Sequence, residues 1–144
     1  MGFSAKTTYG LLALMELAGV ELSGERLQVA AIAARQGIPE RYLEQMMTSL
    51  RRGGIVRSSR GPRGGYQLAR PAAAIHLAEV IDCLDGDPGE SPAHNSSPEQ
   101  RVITALAAGL REQRLARLEA TSLAALLEQR DALLQGQTQT MYFI

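Results

Sequence analysis

Apolar residues in the first fifty positions recur three and four apart. Leu11, Leu14, Met15 and Ala18 form one such stripe, which predicts a helix capped by Ser4 and running to about residue 20. A polar stretch at 21–25, containing Ser23 and Gly24, reads as a loop. A short second helix is expected over about 29–35, with Gly37 supplying the left-handed residue that ends it. Leu43, Met46, Met47 and Leu50 form the inward stripe of a third helix, about 39–52, with Pro39 in its first turn and Gly53-Gly54 at its end.

The period then changes. Residues 55–59 and 66–68 are short strand candidates around Gly61-Pro62-Arg63-Gly64-Gly65, whose composition predicts a hairpin turn. Beyond Pro71, Leu77, Val80, Ile81 and Leu84 return to helical spacing, with His76 placed to cap that fourth helix. Residues 86–98 are rich in Gly, Pro, Ser and Asn and read as a flexible loop. Ser97 and Gln100 fit a capping box that opens a long fifth helix, whose apolar face continues through Val102, Leu106 and Leu110. Thr121-Ser122 restart a sixth helix through Leu123, Leu126, Leu127 and Leu133. The last residues, Met141-Tyr142-Phe143-Ile144, are apolar where a terminus is usually polar.

The fold class expected from these patterns is mainly α with one small β-hairpin. The divisions are 1–85 for the first four helices with the hairpin, 86–98 for the loop and 99–144 for the long fifth helix and C-terminal helix or tail.

Composition narrows the class. With 144 residues, 45% hydrophobic and 21% charged, the chain reads as one globular unit. No apolar run approaches the roughly 20 residues that span a bilayer, and the start lacks a signal-peptide layout, so a cytoplasmic protein with no membrane partner is expected. One cysteine, Cys83, excludes an internal disulfide and any zinc site built on paired cysteines. The net charge of zero hides a division: residues 35–70 hold eight arginines against Glu40 and Glu44, while 71–100 hold six acids and no base. The basic middle is an electrostatic footprint for nucleic acid.

Helix, short helix, tight turn, third helix and Gly-rich hairpin is the order of a winged helix-turn-helix. A helix fits the B-DNA major groove with its N-terminal side chains at base edges, and a neighbouring helix braces it. Here Glu40, Arg41, Glu44 and Gln45 remain on the outer side of the third helix. Arg51 and Arg52 close it, where cations also favour its dipole. Arg57, Arg60 and Arg63 lie on or beside the wing, placed for phosphates or a narrow minor groove.

Four ordered stretches carry a family resemblance: Lys6-Thr7-Thr8-Tyr9-Gly10-Leu11, Tyr42-Leu43-Glu44-Gln45, Arg60-Gly61-Pro62-Arg63-Gly64-Gly65-Tyr66, and Glu79-Val80-Ile81-Asp82. In these the chain resembles the Rrf-two regulators (the IscR, CymR and NsrR type). The resemblance implies a homodimer whose long fifth helices cross, each winged unit serving half of a palindromic double-stranded operator. It also implies base contacts by Arg41, Glu44, Gln45 and Arg60, the last entering the minor groove. Phosphate contacts would come from Lys6, Tyr9, Tyr42, Arg51, Arg52, Arg63 and the Gly64-Gly65 backbone. Arg63 stands where many members have glycine.

Many members hold an iron–sulfur cluster on three closely spaced cysteines in the loop after the fourth helix. This chain has none there, so no cofactor and no metal site is expected; Cys83 packs as a small hydrophobe and His94 is a solvated loop residue. The alternative is a redox or iron–sulfur sensor that uses Cys83 and His94. The apolar tail resembles that of the CymR-like members, so it docks on its own dimer or on a partner protein such as cysteine synthase.

The function expected is therefore a dimeric, cluster-free transcription factor, a repressor. A protein-interaction module with decayed DNA binding is a second class, opposed by the intact recognition helix and basic wing. An enzyme is a third: two histidines and one cysteine give no nucleophile–base pair at a suggestive spacing.

Overall fold

The computed structural model describes residues 2–86 and 97–142, side chains being described through residue 137. Helix α1 spans Ala5–Gly19, and Ser4 caps it: the Ser4 hydroxyl oxygen accepts from the Thr7 N–H at 3.1 Å. Helix α2 covers Val29–Gln36 and stops at Gly37, whose φ of 65° is the left-handed geometry expected of it. Helix α3 is Glu40–Arg52. Pro39 stands one residue outside its expected place in the first turn: it is the N-cap, with its carbonyl accepting from the Leu43 N–H at 3.1 Å.

Strands β1 (Val56–Ser59) and β2 (Gly65–Leu68) form an antiparallel hairpin in which Val56 faces Leu68 and Ser59 faces Gly65. A short 3-10 turn at Ala72–Ala74, absent from the sequence reading, leads into α4, Leu77–Asp85. His76 holds the N-cap position but makes no side-chain cap. The reach-back comes from Glu79, whose carboxylate accepts from the His76 N–H at 3.1 Å.

Helix α5, Pro98–Ala120, opens on the expected capping box, with Ser97 and Gln100 bonded reciprocally at 2.8 and 3.1 Å. Helix α6 is Leu123–Tyr142, and the Ser122 hydroxyl accepts from the Ala125 N–H in its first turn. Most of the 86–98 loop, His94 included, lies outside the described residues. So do Phe143 and Ile144 and the side chains of Met141 and Tyr142.

One core joins these elements. The α3 stripe of Leu43, Met46, Met47 and Leu50 is almost fully buried against Leu14 and Leu17 of α1, Ile32 of α2 and Ile55 ahead of the wing. Each such side chain contributes about 1.5–3 kcal/mol by leaving water. Leu118 and Leu123 belong to the same core, so the joint between α5 and α6 packs onto the winged unit. Backbone bonds fix the joint there: the Leu77 N–H donates to the Thr121 carbonyl at 2.9 Å, and Leu123 donates to Ile75 at 2.8 Å. Most of α5 ahead of this joint remains uncovered, with Val102, Ile103, Leu106 and Leu110 exposed. No helix among the described residues is long and apolar enough to cross a membrane.

Candidate nucleic-acid interface

Burying the apolar stripe of α3 turns its polar residues outward. Arg41, Glu44 and Gln45 are exposed at the start of the helix, and Tyr42 is 61% exposed beside them. A groove of about 610 Å³ separates α3 from the hairpin. Glu40, Glu44 and Thr48, one turn apart, form its helical wall, and Ser58, Ser59, Arg60 and Gly61 form its wing wall. Gln28 and Val29, at the start of α2, close one side.

The groove therefore brings Glu44 and Arg60 together. Arg41 and Gln45 sit on the neighbouring strip of α3, and Lys6 and Tyr9 lie on α1, outside the lining. Tyr9 is partly buried against the core. Thr48, Ser58 and Gln28 were not singled out from sequence; the four-residue spacing after Glu44 is the signal that could have found Thr48.

The eight arginines of residues 35–70 do not all serve this surface. Arg35 pairs with Glu16 of α1 at 2.6 Å, and Arg70 pairs with Glu79 of α4 at 2.9 Å while also donating to the Ala74 carbonyl. Arg41, Arg51, Arg52, Arg57, Arg60 and Arg63 remain exposed and, among the described residues, make no ion pair. Arg51 reaches toward the wing, with Nη1 3.5 Å from the Ser58 hydroxyl.

The two glycines of the wing have architectural reasons. A Cβ on Gly64 would lie 2.3 Å from the Ser59 carbonyl oxygen. One on Gly65, at φ 143°, would lie 2.7 Å from that of Leu27. The Gly64 N–H donates to the Gly61 carbonyl at 2.9 Å, and the Gly64 carbonyl accepts from Gln28. Both backbone groups of Gly64 are thus engaged internally, and what glycine supplies there is room for the turn.

Known proteins match this arrangement. The family model for Rrf2, described as an iron-dependent transcriptional regulator, matches residues 3–129. The chain belongs to the Rrf2 family. That family is one of transcriptional regulators, not of enzymes. The chain is 43% identical over 86 residues to the regulator IscR of Cereibacter sphaeroides, covering 59% of this chain and 56% of that one. Among solved structures, IscR of T. potens superposes with a TM-score of 0.76 at 31% identity, covering 90% of this chain and 88% of that one. CymR, the global cysteine regulator of B. subtilis, gives 0.73 at 29% identity, with 89% and 97% covered. The chain spans about half the length of the curated relatives it matches first.

Iron dependence in the Rrf2 description raises the question of a cluster. Thiolates are the usual ligands of iron–sulfur clusters, and this chain has one cysteine. The Cys83 thiol is half-buried and donates to the Ser49 carbonyl at 3.1 Å, so it is committed to α3. Burial, reinforced by the Asp82 carboxylate, pushes its pKa up, against a smaller opposing pull from the Gly53 N–H. Among the described residues no group of three or more His, Cys, Asp or Glu is placed to hold a metal ion. This donor set does not fit a thiolate-held cluster.

Proposed function

We propose that this chain is a homodimeric, cluster-free repressor, acting in the cytoplasm, that reads palindromic double-stranded DNA with α3 and the hairpin wing. The observation that carries the reading is the groove between α3 and β1–β2, walled by Glu44 on one side and Arg60 on the other and flanked by exposed arginines. Arg41, Glu44 and Gln45 meet base edges in the major groove, and Arg60 enters the adjacent minor groove. Lys6, Tyr9, Tyr42, Arg51, Arg52 and Arg63 hold phosphates, which fix register and supply the salt-dependent part of affinity. The wing passes the DNA backbone through the groove, so helix and hairpin grip one half-site from two sides.

The dimer reading rests on α5. Val102, Leu106 and Leu110 repeat every fourth residue and are 68%, 60% and 56% exposed in the single chain. A second copy crossing α5 covers them and places two recognition helices about a two-fold axis. Two-fold symmetry in the protein then demands a two-fold operator with half-sites one or more helical turns apart.

Selection of binding sites from random duplex DNA, followed by fluorescence anisotropy across salt concentrations, tests the whole. A palindromic consensus bound by two chains, with affinity falling steeply as salt rises, is the expected result. Binding of all sequences alike, or enrichment of none, overturns it.

A further inference from the structure

Gln28 occupies the N-cap of α2 without acting as one. An N-cap side chain ordinarily turns back onto the helix's own amides, and Gln28 makes no such bond. Its Nε2 donates instead to the Gly64 carbonyl, 2.7 Å away across 36 residues of sequence.

The neighbouring residue is tied to the same strand. The Leu27 N–H donates to the Tyr66 carbonyl at 3.0 Å, and the Tyr66 N–H returns to Leu27 at 2.8 Å. Leu27 therefore serves as a one-residue third strand, and Gln28 extends the attachment beyond the end of β2 into the turn. That extension matters because of what lies above it. The Cα of Gly64 sits so close under the turn that an added Cβ would lie 2.8 Å from the Arg60 carbonyl carbon. Gly64 is thus held from below by Gln28 and from within the turn by Gly61, while Gly61, Pro62 and Arg63 stand in solvent. No other side chain among the described residues bonds to the turn at 60–64.

We propose that Gln28 is a positioning residue for the wing, and that its bond to Gly64 sets the height of the Arg60-bearing turn over the recognition helix. The proposal rests on the DNA-reading function of the groove that Gln28, Glu44 and Arg60 line together. Gln28 need not touch DNA to act. It ties the turn to α2, the helix that braces α3, so that wing and recognition helix engage one half-site as a unit.

A double-mutant cycle on the full chain tests this, with the selected operator as probe. Gln28→Met keeps the length of the side chain and removes the donor. It should weaken operator binding about two- to tenfold, the range of one net hydrogen bond, with the melting temperature lowered by no more than about 2–4 °C, so that the chain stays fully folded in the binding assay. Arg60→Ala should weaken binding further. The double variant should bind no more weakly than Arg60→Ala alone, since Gln28 acts through the turn that carries Arg60. Additive losses, or wild-type affinity for Gln28→Met while Arg60→Ala is impaired, overturn the positioning role and leave the groove reading intact. Full affinity in Arg60→Ala overturns both.

Discussion

The thiol of Cys83 in α4 donates a hydrogen bond to the carbonyl of Ser49 in the last turn of α3, at 3.1 Å. A Cβ on Gly53 would come within 2.6 Å of the same sulfur, so α3 ends directly on this cysteine. Burial and the Asp82 carboxylate raise the thiol's pKa above its ordinary value of 9.0. The thiolate is the reactive form, so iodoacetamide at neutral pH should modify Cys83 more slowly than it modifies free cysteine. A rate equal to that of the free amino acid would show that the contact with Ser49 is not kept in solution.

The same shift has a definite sign in stability. Because folding raises this pKa, the folded state favours the neutral thiol. The contribution is complete below 9.0 and is lost as pH rises through the raised folded value. Urea denaturation of the wild type and Cys83→Ala should therefore differ by a constant amount of about 1 kcal/mol near neutrality. The difference should shrink as pH rises above 9.0. A difference that grows with pH would reverse the assignment.

Gly65→Ala should be costly in a way its place on a surface hairpin does not suggest. The backbone is at φ 143° and an added Cβ would press on the Leu27 carbonyl oxygen at 2.7 Å, a neighbour that is itself backbone and cannot rotate away. About 1–3 kcal/mol of stability should be lost, together with operator affinity as β2 separates from Leu27. Stability within error of the wild type would mean that the Leu27–Tyr66 bridge yields.

What was legible in the sequence is what is encoded locally. The capping box of Ser97 and Gln100 joins residues three apart, and the α3 stripe of Leu43, Met46, Met47 and Leu50 states both a helix and its buried face. With that face fixed, the outward placement of Arg41, Glu44 and Gln45 followed. The contacts that shape the groove are of another kind. Gln28 reaches Gly64 across 36 residues, and glutamine before a helix carries no local signature of such a partner. The basic middle was legible as a charge run, but Arg35 and Arg70 are neutralised by Glu16 and Glu79 from other elements, which no count within the run reveals. Three alanines after Pro71 have no periodicity, and the 3-10 turn they form was invisible for that reason.

Asp85 ends α4 and accepts from the hydroxyls of Ser4 and Thr7 at the start of α1. Thr7 is a fully buried polar residue, so Asp85→Ala leaves its hydroxyl short of a partner and should cost about 1–3 kcal/mol. Adding Thr7→Val removes the orphaned group. The double variant should then be no less stable than Asp85→Ala alone in thermal melts. Strictly additive losses would place the role of Asp85 elsewhere.

In α5, stability and assembly can be separated. Leu106 is 60% exposed in the single chain, in line with Val102 and Leu110. Substituting it by Glu removes little that the folded chain itself buries, so the unfolding free energy of one chain should change by no more than about 0.5 kcal/mol. A two-fold interface repeats the change symmetrically, bringing two carboxylates into an apolar contact. Sedimentation at micromolar concentration should then show Leu106→Glu as a monomer and the wild type as a dimer. Affinity for the full palindrome should collapse toward that for an isolated half-site, because the two winged units are no longer linked. A dimer that survives Leu106→Glu with its palindrome affinity intact would move the interface off this face of α5.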